Sequence, residues 1–145
     1  MVDDRPLRAR RGPLQILGFA GSLRKASLNR GLLRAAAEVA PRDVVVEQFD
    51  LRGIPLYDED LRLAGPPEIV TELKERIRAA DGLLIATPEY NHSFSGVTKN
   101  AVDWISRPPA ESPLNGKPIG VIGASDGHFG TTRAQEALRI VLAAT

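Results

Sequence analysis

The stretch Gly21-Ser22-Leu23-Arg24-Lys25-Ala26-Ser27-Leu28-Asn29-Arg30 holds two hydroxyls, one amide, two guanidiniums and one ammonium, and no carboxylate. An apolar run, Leu14 to Ala20, precedes it, and an amphipathic stretch, Leu28 to Ala40, follows it. A strand therefore feeds a polar loop, and the loop feeds a helix. Unpaired N–H groups and the helix dipole favour an anion there, so the loop is expected to attract a phosphate. Ser22, Ser27 and Asn29 supply donors and Arg24 a charged fork. Neither G-x-x-x-x-G-K-[ST] nor G-x-G-x-x-G is present, so this is no P-loop and no dinucleotide fingerprint. The plain alternative is a strand-to-helix turn capped by Ser27.

Two further loops carry chemistry. Pro88-Glu89-Tyr90-Asn91 follows a fully apolar run, and its extended backbone can meet a flat heterocycle edge-on while Tyr90 lies along the face. His92 is the tempting catalytic group, but a lone loop histidine is more often solvated or capping. Glu89 reads as structural rather than as a general base, and Trp104 as packing. The third loop, Gly123-Ala124-Ser125-Asp126-Gly127, matches G-x-S-x-G. That hydrolase motif needs an acid and then a histidine later in the chain. After Ser125 the only candidates are Asp126 and His128, too near in sequence to fold back as a triad. The glycines instead let the backbone approach a bound ring.

The elements that must position these loops alternate. Strands are expected over Leu14–Ala20, Val44–Phe49, Gly82–Thr87 and Pro118–Ala124. Helices are expected over Leu28–Ala40, from Pro67 to Ala80, over Gly96–Ser106 and over Thr131–Ala144. In the first helix, Leu32, Ala36, Val39 and Ala40 form the inward face. Thr132 and Gln135 suggest a capping box at the start of the last. Asp50 to Pro66 reads as a long loop. The order is that of a doubly wound parallel sheet, in which ligands sit at the carboxyl ends of the strands. All three polar loops fall at that end. A phosphorelay receiver shares the topology but needs clustered acids after its first strand, where this chain has Gly21-Ser22.

With 145 residues, 26% of them charged, and a net charge of +1, a single globular domain is expected and no polyelectrolyte partner is implied. Residues 1–13, with Arg5, Arg8, Arg10 and Arg11, read as a flexible tail ahead of a domain over 14–145. The absence of cysteine excludes disulfides, zinc-thiolate sites and thiol catalysis. No apolar run is long enough for a membrane helix, and no signal core is visible, so a cytoplasmic protein without membrane or nucleic-acid partners is expected.

The segments GSLRKASLNR, PEYNHSFSGVTKNAVDWISRP and GASDGHFGTTRAQEALR, in that order, resemble the NADPH-dependent FMN reductase family, which includes quinone, chromate and azo-compound reductases. The likeness spans residues 14 to 142. It implies a flavodoxin-like fold, FMN held non-covalently, and NADPH or NADH as electron donor. Ser22, Arg24, Ser27, Leu28 and Asn29 would hold the phosphate end. Pro88, Glu89, Tyr90 and Asn91 would line the isoalloxazine, and Ser125 and Gly127 would close its other side. The implied reaction is ping-pong reduction of quinones or similar small acceptors, such as chromate, azo compounds or free flavin, with no catalytic side chain and no metal. Homodimers or homotetramers are implied, with the third helix and the loops near Tyr90 and Arg107 at the boundary.

Two departures stand out. Thr131 occupies a place where the family commonly has glycine. The strand order 2-1-3-4-5 stops at four, without the expected fifth strand and last helix. The resemblance thus leaves two other readings open: a flavodoxin-like electron carrier, which the +1 balance disfavours, and a truncated member with weak or no flavin binding.

Overall fold

The apolar runs become parallel strands in the computed structural model, which describes residues 12–145. In chain order the elements are β1 (Leu14–Ala20), α1 (Leu28–Val39), β2 (Val44–Phe49), α2 (Glu59–Ala64), α3 (Glu68–Ala79), β3 (Gly82–Ala86), β4 (Glu89–Tyr90), β5 (Ser93–Phe94), α4 (Gly96–Ile105), β6 (Ile119–Ile122) and α5 (Thr132–Ala143). A short 3-10 turn covers Pro109–Glu111. The main sheet has the order β2-β1-β3-β6 with every pair parallel, while β4 and β5 form a separate antiparallel hairpin. This is the flavodoxin-like arrangement. The switch point lies between β1 and β3, where Phe19 stands opposite Ile85 and Ala20 opposite Ala86.

Alternation along the strands sends successive side chains to opposite faces. Leu17, Phe19, Leu83 and Ile85 point to one face and are buried against Leu73 and Ile77 of α3, Val102 and Ile105 of α4, and Leu138 of α5. Among the described residues, the other face is covered by α1 alone. There Leu33 packs beside Ala20 and Ala86, with Leu84 and Ile122 half-buried. Gly18 permits the close approach, since a Cβ on it would stand 3.1 Å from Leu33 Cδ2.

Helix limits follow local chemistry. Ser27 caps α1 by accepting from the Arg30 N–H (3.2 Å). α1 ends at Val39 because Ala40 precedes Pro41 and takes an extended ψ of 142°. Ser95 caps α4 in the same way, accepting from the Thr98 N–H (3.1 Å).

Three expectations need correction. The inward residue of α1 is Leu33, whereas Val39 is 81% exposed; the chosen stripe was rotated by about one residue. The segment from Asp50 to Pro66 contains α2, whose start is capped by Asp58 through the Asp60 N–H (2.8 Å). No α2 residue is buried, so its sequence lacks the apolar stripe that reveals a helix. There is no Thr132–Gln135 capping box. Thr131 is the N-cap residue, Gln135 Nε2 donates to the Thr131 hydroxyl (2.9 Å), and the Thr132 hydroxyl turns back to Phe129 O (3.0 Å). The expected arginine-rich tail lies, up to residue 11, outside the described residues. Among the described residues no helix is long and apolar enough to cross a membrane.

Candidate functional site

Three loops meet at the carboxyl edge of the sheet, and side chains fasten each to another. The first follows β1. The Gly21 N–H extends the sheet by donating to Ala86 O (2.8 Å), and Gly21 O accepts from the Ser95 hydroxyl (2.6 Å). Beneath it the hydroxyls of Ser95, Thr98 and Thr87 form a buried chain, with Ser95 to Thr98 at 2.9 Å and Thr98 to Thr87 at 3.3 Å. A Cβ on Gly21 would fall 1.9 Å from Thr98 Oγ1, so only glycine fits. Beyond that point the chain opens to solvent: Leu23, Arg24, Lys25 and Ala26 are exposed, while Ser22 and Ser27 are buried. Arg24 and Lys25 have no ion pair or hydrogen bond to a side chain of the described residues. The Leu28 and Asn29 N–H groups lie in the first turn of α1, where no intrahelical acceptor exists.

Asn29 is one of the fastenings. Its Nδ2 donates to Ala124 O (3.1 Å) and its Oδ1 accepts from the Ala124 N–H (2.9 Å), tying α1 to the loop after β6. The second Nδ2 proton has no partner among the described residues.

The second loop is the β4–β5 hairpin. Asn91 and His92 take φ values of 50° and 62°, the left-handed pair that a two-residue hairpin turn requires. Pro88 is buried at its base and Tyr90 is 53% exposed at its edge. The Glu89 carboxylate accepts from the Ala134 N–H at the start of α5 (3.1 Å). His92 Nδ1 lies 2.5 Å from Arg133 Nη1. The third loop is folded on itself, with Ser125 Oγ accepting from the Gly127 N–H (2.8 Å). Ser125 and Gly127 are exposed beside the first loop that Asn29 holds.

The structure thus gathers the residues singled out in the sequence along one edge. What the sequence reading missed are the fasteners. Asn100 accepts from the Tyr57 N–H (2.8 Å) and donates to Pro55 O (2.8 Å), and Trp104 Nε1 donates to the same Pro55 O (2.8 Å). Trp104 is fully buried and meets Tyr57 edge-on at 5.0 Å. The Lys-Asn-Ala…Asp-Trp segment therefore pins the chain after β2, and Lys99 with Asp103 forms a surface ion pair (2.7 Å). Nothing in side-chain type alone marks Asn100 as a clamp. A polar residue next to the buried side chains of α4 was the available signal. No cluster of metal-ligating side chains occurs among the described residues.

Chemically, the edge offers an anion a carboxylate-free loop with two unpaired cations and open N–H groups, and offers a planar group the hairpin on one side and a glycine-bearing loop on the other. FMN, with a phosphate at one end and a flat ring at the other, fits that donor set. The fold and this edge define a flavodoxin-like α/β protein of the ligand-binding kind.

Comparison with known proteins agrees. The model of one family, NADPH-dependent FMN reductase, matches residues 14–145. The chain is 52% identical over 129 residues to an NAD(P)H-dependent FMN reductase of Pseudomonas aeruginosa, covering 89% of this chain and 69% of that one. It is 48% identical over 130 residues to a 2-hydroxy-1,4-benzoquinone reductase of a Burkholderia species, covering 90% and 70%. Among solved structures, the flavoenzyme NAD(P)H:(acceptor) oxidoreductase of Paracoccus denitrificans superposes with a TM-score of 0.82 at 40% identity, covering 90% of this chain and 71% of that one. The chain belongs to the NADPH-dependent FMN reductase family, and is thereby an oxidoreductase with FMN as cofactor and NAD(P)H as electron donor.

Proposed function

We propose that the chain reduces quinones and similar small acceptors with electrons from NAD(P)H, in a ping-pong cycle at one exposed ligand face. The observation that supports this best is the meeting of the phosphate-suited loop and the PEYN hairpin across the switch point. Ser22, Arg24, Ser27 and the N–H groups of Leu28 and Asn29 would hold the FMN phosphate, with the free amide proton of Asn29 as a further donor. Pro88, Glu89, Tyr90 and Asn91 would line the ring, mainly through backbone groups, and Ser125 and Gly127 would close the opposite side. The bound flavin supplies hydride acceptance from the nicotinamide and its onward delivery. The protein's own contribution is to orient the ring, exclude water from one side of it and leave the other side open beside Tyr90. No side chain acts as nucleophile or metal ligand in this reading.

A homodimer or homotetramer also belongs to the proposal. Leu23 and Leu56 are exposed and flank an apolar cleft of 350 Å³ that Leu51, Ile54, Val97 and Ala101 line, close to the phosphate loop. The acceptor range extends by the same chemistry to chromate, azo compounds and free flavin.

The test uses the full chain. FMN is titrated in and followed by fluorescence, then NADPH is added without oxygen and a benzoquinone afterwards. Bleaching by NADPH, restoration by quinone and parallel double-reciprocal plots are expected. Failure to bind FMN at micromolar concentration would overturn the reading, and bleaching without quinone-driven restoration would remove the acceptor part.

A further inference from the structure

Three side chains lock the loops of the site into a ring: Ser95 holds the hairpin strand's end to Gly21, Asn29 holds α1 to Ala124, and Glu89 holds the hairpin to α5. Of these, Glu89 is the one in the ring-lining hairpin, and the flavin reading leaves its side chain without a task. α5 starts at Thr132, and its N-cap residue Thr131 makes no capping bond with its own side chain. The capping place is filled from another element, because Glu89 Oε2 accepts the Ala134 N–H at 3.1 Å. A carboxylate at a helix start is favoured by the dipole as well as by the hydrogen bond. The Glu89 side chain is only 12% exposed, so its reach to α5 is confined by packing. A second contact runs in parallel, between His92 and Arg133 of the same first turn. Tyr90 and Asn91 lie between the two anchors, and Asn91 and His92 are both non-glycine residues in left-handed conformation, which surrounding contacts must hold.

We propose that Glu89 is a positioning residue: as the cap of α5, its carboxylate fixes the β4–β5 hairpin, and so Tyr90 and Asn91, against the loop that carries Ser125 and Gly127. This rests on the reading of that hairpin as the flavin-lining element. The side chain acts through its neighbours and exchanges no proton with donor or acceptor. Reach, not charge, is what the role demands.

Two substitutions separate reach from charge. Glu89→Gln keeps an oxygen at the same distance and removes the charge. Glu89→Asp keeps the charge and draws it back by one methylene. FMN is titrated into each full chain by fluorescence, and amide hydrogen exchange is read on each chain without FMN. The Gln variant is expected within about twofold of wild type and the Asp variant about fivefold weaker, the size of a lost helix cap. Exchange should quicken at residues 89–94 and 132–135 in the Asp variant alone, leaving α3 unchanged. Equal binding by all three chains overturns the proposal, and so does any result in which Gln fails to sustain binding. If the wild-type chain takes up no FMN, the flavin reading falls, while the exchange pattern still decides whether Glu89 clasps α5.

Discussion

The two faces of the sheet are built from the same alternating strands, yet they are filled differently. On the face toward α3, α4 and α5, Phe19, Ile85, Leu73, Ile77, Val102 and Leu138 are wholly buried. On the face toward α1, Leu14, Ile16, Val44, Val46 and Leu84 line an open apolar groove of 720 Å³. Among the described residues, one face has three helices and the other has one. The site loops spring from the carboxyl edge that both faces share, but their fasteners run mainly to α4 and α5. The packed face therefore carries both the stability and the geometry of the site, and the open face carries less of either.

Removing a packed side chain should produce the largest effect. Ile85→Ala on the central strand is expected to cost about 2–5 kcal/mol, because a cavity is left as well as burial lost. Urea unfolding midpoints measure it. Gly21→Ala comes next. Its methyl would collide with the Ser95–Thr98 hydroxyl pair, and overpacking of this kind costs about 1–3 kcal/mol. FMN affinity should drop with it, since the phosphate loop starts there. The groove gives a smaller figure. Ile16 is half-buried, so Ile16→Ala is expected to cost about 1 kcal/mol. A loss equal to that of Ile85→Ala would break the comparison, since it would mean that the groove is covered in solution.

Much of this difference was legible in the sequence. VVVEQF gave β2 through its β-branched run, and the apolar residues between Pro67 and Ala80 gave α3, because burial of Val70, Leu73 and Ile77 on one face leaves a helical period behind. The edge positions of GSLRKASLNR, PEYN and GASDG followed from strand order. α2 was not legible, since a helix with no buried residue leaves no period. The cap of α5 was not legible either. Its capping oxygen comes from Glu89, 45 residues away, and local spacing can only point to neighbours such as Gln135. The inward turn of α1 was misread because its apolar residues are mostly small alanines, and the close approach over Gly18 makes Leu33 the residue that is buried.

α2 sharpens the contrast from the other side, for it is held by charge where α3 is held by burial. Glu59 pairs with Arg62 (2.5 Å) and accepts from the Tyr57 hydroxyl. Those two bonds, Arg62 first, hold the Glu59 carboxyl at about 2, below its ordinary 4.5, and the same carboxylate raises the Tyr57 phenol. A carboxyl depressed on folding contributes stability that is complete above the unfolded value and fades as pH falls through the folded one. The contribution of Glu59 should thus be full above pH 4.5 and gone below about pH 2. Glu59→Gln is expected to be slightly less stable than wild type at pH 7, with the two unfolding midpoints converging over that window. Salt should shrink the gap, because the pair is exposed. The gap between Ile85→Ala and wild type, set by burial, should respond to neither acid nor salt in the same range. A pH-independent gap for Glu59→Gln would show that α2 is held by something other than its charges.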